Sequence, residues 1–396
     1  MPFEDIRKAA FARAQTLGAP QKSHEYWRYS DPAMLQGAGG AANSDVFAAT
    51  EAYRLVFVDG VFDAAKSDTL PRDRVEFSTL DAPADWAKDA YGALELQAQN
   101  TIPRPLAAQN TAQATAGVLL RVIGKLDRPI SLDYRSISNN YDAILHHCIR
   151  VESGGEITVL ESGCLPAGAN TVMEITLGQG ARLHHLRTQA PNAQRRSINH
   201  LFASLDAGAQ LKSFSLTAEG ALTRNEAAIW LAGDDAVAHL AGAALGSGKD
   251  APCHQDDTVF ITHDALRGES RQVFKKVLSN GATGVFQGKI LVKQGAQKTD
   301  GYQISQALLL DDAAQFLAKP ELEIYADDVK CSHGSTTGAI DETALFYLRS
   351  RGVPVDQATV LLVLSFLADA LVEIEDEALR DVIAGLLENW LARENT

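Results

Sequence analysis

The residues with the clearest chemical potential are Cys331 and His333, set two apart in Asp327-Asp328-Val329-Lys330-Cys331-Ser332-His333-Gly334. In an extended chain, residues i and i+2 share a face, so sulfur and imidazole point the same way. Both are soft ligands suited to iron or zinc, and two of them make half a site. Lys330 is expected to lower the thiol pKa and so favour the thiolate that metals need. A buried cysteine beside a turn-stabilising histidine would leave the same pattern. If the pair does ligate, the missing ligands must come from another chain.

Other polar clusters carry less. Cys253-His254-Gln255-Asp256-Asp257, followed by His263, has the composition of a metal site but no zinc-site spacing. Neighbouring side chains on a strand face opposite ways, so a solvated polar loop is expected there. By the same alternation, His146-His147 and His184-His185 should each turn one ring inward and one to solvent. Cys148 and Cys164 are expected as small core residues. Gly246-Ser247-Gly248-Lys249 fails as a phosphate loop, because Ala243 and Asp250 stand where a glycine and a Ser or Thr are required. It reads as a turn. No Ser-His-Asp order, Gly-x-Ser-x-Gly elbow or distinctive carboxylate pair gives a positive signal for an enzyme.

The elements that must position Cys331 and His333 fall into three regions, 1–110, 111–334 and 335–396. In the first, Phe3, Ile6, Ala10, Ala14 and Leu17 recur at helical spacing until Gly18-Ala19-Pro20 stops them. The aromatic cluster Glu25-Tyr26-Trp27-Arg28-Tyr29 is expected to dock this cap on the rest. Tyr53 to Val58 reads as a strand before an Asp59-Gly60 turn, and the remainder of 31–110 is mixed. From Gly117 to Val329, short alternating strands such as Glu156 to Leu160 and Arg182 to Leu186 follow Gly- or Asp-containing turns. Those turns, at 153–155, 178–180, 206–208 and 233–235, recur roughly every 25–28 residues. Strands repeating at a fixed period without helical crossovers point to a β-solenoid, with a sandwich as the alternative. After Gly338 the pattern is helical. Asp341 caps one helix, a very apolar one follows Asp356, and a third runs from about Glu377 to Leu391. A helix as apolar as the second must be covered by other elements or by a partner.

The chain has 396 residues, 46% of them apolar and 22% charged, and a formal net charge of -14. That is a globular composition, repelled by nucleic acid and by anionic membrane surfaces. No secretory h-region opens the sequence, and the longest apolar run, Ala358 to Leu367, is too short to span a bilayer. Four cysteines without a CxxC fit a reducing cytoplasm better than a disulfide framework. A cytoplasmic protein is expected.

The stretch from His263 to Gly352 resembles the SufB/SufD family of iron–sulfur cluster assembly proteins, and its SufD members most. The likeness rests on Gly288-Lys289-Ile290, Ala296-Gln297-Lys298-Thr299-Asp300, Pro320-Glu321-Leu322-Glu323-Ile324, Ala326 to Gly334, and Leu345-Phe346-Tyr347-Leu348-Arg349-Ser350-Arg351-Gly352. It implies a mainly β fold, a right-handed parallel β-helix core with N-terminal and C-terminal helical regions. It further implies a non-catalytic scaffold subunit that pairs with SufB and binds the SufC ATPase through its C-terminal helices, with Phe346, Tyr347, Arg349 and Arg351 at a partner interface. His333 and Cys331 would then face SufB and share ligation of a transient iron–sulfur cluster, His333 being the stronger ligand. Ala307 stands where SufB carries an interface cysteine, so this chain depends on its partner. A flavin is associated with the family's complex, but no residue pattern here marks a flavin site. In isolation, an exposed end coil or edge leaves room for a homodimer; a stand-alone polysaccharide-active β-helix enzyme and a purely structural partner of SufB without cluster ligation are the alternative functions.

Overall fold

A computed structural model describes residues 3–36, 46–97, 99–138, 142–163, 165, 168–189 and 192–394; Cys164 lies outside them. The chain forms a parallel β-solenoid in which successive strands alternate between two facing sheets. One sheet has ten strands, running from Val61–Phe62 and Tyr53–Val58 to Lys330–Gly338, and the other nine, from Val75–Thr79 to Gln315–Ile324. Strand alternation sends one row of side chains between the sheets. Leu145, Ile149, Ile175, Leu177, Leu205, Ile229, Leu231, Val259 and Ile261 from the nine-stranded sheet meet Leu132, Val159, Leu183, Leu211 and Leu240 from the other. The expected repeat is present but not constant. His146 pairs with Val172 across a coil of 26 residues, whereas Glu226 pairs with Thr258 across 32. The longer coil contains the exposed turn after Ser247, where the rejected phosphate loop lies.

Helices cover the outer faces. Helix α1 (Glu4–Leu17) ends where Gly18 takes φ 67°, and α2 (Pro105–Gln113) starts on a proline. Helix α2 and the short helical turns Pro32–Leu35 and Leu94–Leu96 lie on the nine-stranded sheet, with α1 packed on α2. The aromatic cluster docks as expected: the Tyr26 ring meets Phe260 edge-on at 4.8 Å, and Trp27 is buried with its ring 4.4 Å from the Arg224 guanidinium. At the other end, Asp341 accepts from the amides of Thr343 and Ala344 to cap α3 (Glu342–Ser350). Helices α4 (Val355–Leu371) and α5 (Glu377–Glu394) pack Val363, Leu367, Ala370, Ile383 and Leu387 onto Leu245, Val273 and Val277 of the ten-stranded sheet. The apolar α4 is therefore covered largely from within the chain. His239 clips the α4–α5 connection to the sheet, bonded to Glu373 at 3.0 Å and Glu269 at 2.9 Å.

Two sequence expectations are corrected. His254–His263 is a strand with all ten residues buried, not a solvated loop. Its polar side chains are neutralised on both sides. Outward, Asp256 accepts from Arg224 at 2.5 Å and from the Ser30 hydroxyl at 2.5 Å; inward, Asp257 takes Lys276 and Asn225. His146 and His147 alternate as expected, but both are buried, because the outward His146 ring lies under Tyr91 at 4.3 Å rather than in water. His185 faces inward and His184 outward, half-buried.

Removing one member of a buried pair strands the other charge. Asp256→Ala should cost about 3–5 kcal/mol, read as a lower urea midpoint, and should expose the 20–35 segment to limited proteolysis. An unchanged midpoint would show that Glu226 alone is enough to neutralise Arg224. Burial also pushes the His147, His200 and His263 rings down to about 4. A folded-state pKa below the unfolded value of about 6.5 means that their contribution is complete above that pH and is lost as pH falls toward 4. Urea midpoints should decline through this window, and His200→Leu should flatten the decline; a flat profile in the parent chain would contradict these shifts.

Candidate functional site

In a parallel solenoid, each strand's backbone groups are satisfied by the coil before and the coil after. The two ends of this one differ. The N-terminal end closes with short antiparallel strands, two residues at Val61–Phe62 and five at Val75–Thr79. Short edges of this kind limit unwanted pairing. The C-terminal end stops at full length, with ten residues in Gln315–Ile324 and nine in Lys330–Gly338, each hydrogen-bonded, among the described residues, to a neighbouring strand on one side alone. No residue of either strand is buried.

Cys331 and His333 sit on the second of these edge strands. Parallel pairing sets Cys331 opposite Gly301 and His333 opposite Gln303. The Cys331 sulfur lies over Gly301, where a Cβ would approach it to 3.2 Å, and packs with Ile290, Val292, Ala326 and Val329. Alternation puts His333 on that same inner face, one step along, but exposed, since no further coil stacks on it. Behind His333 in register lie Gln303 and then Gln272, both fully buried. The Gln303 carbonyl oxygen and both polar amide atoms of Gln272 have no hydrogen-bond partner among the described residues. Gly288 is required beside them, because a Cβ there would meet Gln303 Oε1 at 2.4 Å. This column of amides leading to His333 was not legible from sequence: three residues about 30 apart align once the register is known.

The expectation for Lys330 is corrected. It precedes Cys331 and so faces the other way, in register with Asp300. Burial pushes the Cys331 thiol up; the Gly301 amide opposes this and Asp300 adds to it. The isolated chain therefore holds a thiol there. Ala307, buried among Cys253, Leu278, Ala282 and Ala314, offers no ligand atom. Four residues after the edge strand ends, α3 begins; it has no buried residue, and Phe346 and Tyr347 are 71% and 56% exposed. Arg351 folds back on Tyr347, its guanidinium 5.0 Å from the ring centre, and Arg349 is exposed. All four are exposed, on α3 and the residue that ends it.

Alkylation of Cys331, followed by mass spectrometry of its peptide, should reach half its maximal rate above pH 9, and Lys330→Ala should leave that profile unchanged. A midpoint below pH 8 that rises in the variant would restore the lysine's role.

Comparison with known proteins assigns the chain to a family. The model of the SUF system FeS cluster assembly SufBD core domain matches residues 135–366. The iron–sulfur cluster assembly protein SufD of Escherichia coli is 30% identical over 92% of this chain and 88% of its own length. A SufBD-family assembly protein of Synechocystis is 28% identical over 93% and 86%, and SufD of Bacillus subtilis 25% over 72% and 66%. The matched core spans most of the solenoid and its open end. The chain therefore belongs to the SufB/SufD family of iron–sulfur cluster assembly proteins, resembling its SufD members.

Proposed function

We propose that this chain is a non-catalytic scaffold subunit of a cytoplasmic SufBCD-type complex, joined to SufB through the open C-terminal end of the solenoid. The observation that carries the reading is that end itself: two long unpaired strand edges, with His333 and Cys331 beside them. Backbone edges give affinity by strand addition, while the side chains between them set what is held at the junction. His333 presents an accessible imidazole, and Cys331 a half-buried thiol that a metal would convert to thiolate. Together they supply two ligands to a nascent iron–sulfur cluster, the cargo of the assembly, and SufB supplies the rest. The exposed Phe346, Tyr347, Arg349 and Arg351 on α3 fit a separate contact with the SufC ATPase, where aromatic and arginine side chains are favoured anchors. In the absence of SufB, the same open end suits a second copy of this chain.

Co-expression with SufB and SufC should yield a stable ternary complex. His333→Ala should leave that complex intact and lower its iron and sulfide content several-fold. Normal cluster yield in both His333→Ala and Cys331→Ser would leave SufB as the sole holder of the cluster and make the pair structural. Failure to co-purify with either partner would overturn the scaffold role.

A further inference from the structure

At the far end of the solenoid, a second group of metal-ligating side chains is sealed under the N-terminal region. His146 and Cys148 share the outer face of Asp142–Val151, and Glu174 stands in register beside Cys148 on Gly168–Leu177. All three are buried, with one ligand atom from each within 4.8 Å of the others. His146 Nε2 lies 2.8 Å from Glu174 Oε2, and Cys148 Sγ 3.9 Å from that oxygen.

The surroundings fix which atoms face inward. The Asn110 amide nitrogen donates to the carbonyls of Leu145 at 3.0 Å and Asn170 at 2.8 Å, so its oxygen is left to face His146 Nδ1 at 3.0 Å. That contact requires the proton on Nδ1. The lone pair of a neutral ring then points from Nε2 at a carboxylate, which a positive charge must bridge. Glu174 is itself held by the amides of Gly92 at 2.5 Å and Leu94 at 2.7 Å. An outer partner on the histidine and hydrogen bonds to the carboxylate are the usual supports of a metal centre.

We infer that His146, Cys148 and Glu174 form a buried site for one divalent ion of the zinc class, independent of the cluster proposed at the open end. One imidazole nitrogen, one sulfur and one carboxylate oxygen give three of the four donors that zinc takes, as in three-ligand zinc centres, and the sulfur disfavours magnesium and calcium. Binding would form the metal–sulfur bond and release the thiol proton to solvent. Thiolate and carboxylate then cancel the dication, leaving a neutral centre in a place where net charge is costly. Without the ion, burial and Glu174 hold Cys148 as a thiol, well above its usual range. Because Gly92 and Leu94 reach the same carboxylate, the ion would tie the N-terminal region to the solenoid, and metal binding would be part of folding.

The full-length chain carrying Cys331→Ser and His333→Ala, which clears the open end of ligands, is refolded with excess zinc, desalted and analysed for metal. Close to one zinc per chain is expected, falling at least ten-fold with Cys148→Ser. Cobalt loading without any change at residue 148 should show thiolate-to-cobalt absorption, so a poorly folding variant does not decide the matter. Less than about 0.1 zinc per chain, no such absorption, and a nitrogen-15 spectrum of His146 with both ring nitrogens protonated would overturn the site and identify the bridging charge as a proton.

Discussion

Parallel stacking imposes the constraint on which the rest of the structure depends. Each coil borrows its neighbour's backbone partners, so the stack must be ended deliberately at both ends. At the N-terminal end, Val61–Phe62 and Val75–Thr79 run antiparallel and are short, which blunts the edges. At the C-terminal end, Gln315–Ile324 and Lys330–Gly338 leave long edges that nothing within the described residues continues. An exposed edge of this length invites pairing with another chain unless a partner covers it. Cys331 and His333 lie on the inner face beside that edge, which is why the proposed shared ligation is assigned to it.

A second requirement is the covering of the solenoid's outer faces. The ten-stranded sheet meets an apolar hairpin, α4 and α5, through aliphatic contacts. The nine-stranded sheet meets the N-terminal region through apolar contacts, such as Leu94 and Ala107 on Val172 and Phe202, and also through buried charge: Arg104 and Arg224 share Glu226, Arg224 also holds Asp256, and Ser30 joins Asp256 to His254. Such networks add little net stability over an apolar interface, but they are costly to break. They fix the docking position of a region with little regular structure of its own. Tyr26 and Glu25 extend that docking to Glu321 and Lys319 on the last nine-stranded-sheet strand. The cap is thus anchored to the coil that forms the open end.

Much of this was legible in the sequence, where local rules apply. The α1 periodicity, the Asp59-Gly60 turn with both residues at positive φ, the Asp341 cap and the solenoid repeat all follow from neighbours in the chain. Errors arose where one segment covers another. Alternation correctly sorted His146 from His147, but could not show that Tyr91 replaces water above the outward ring. It also placed Cys331 and His333 on one face, while the same rule, applied to Lys330, would have turned that lysine away from the thiol. The polarity of residues 253–257 suggested solvent because Arg224, Lys276 and Ser30, which neutralise it, are distant in sequence. The unpartnered Gln272 amide and Gln303 carbonyl oxygen depend on register across three coils, which no local pattern reveals.

The central claim is that the open end of the solenoid meets SufB. A photo-crosslinking residue in place of Thr336, exposed on the last strand, tests it directly in the co-expressed complex, with the same residue in place of Phe77 at the closed end as control. The expected result is a covalent adduct with SufB from position 336 and none from position 77. Intact complex with no adduct at 336, or equal adducts at both ends, would contradict an interface at the open end.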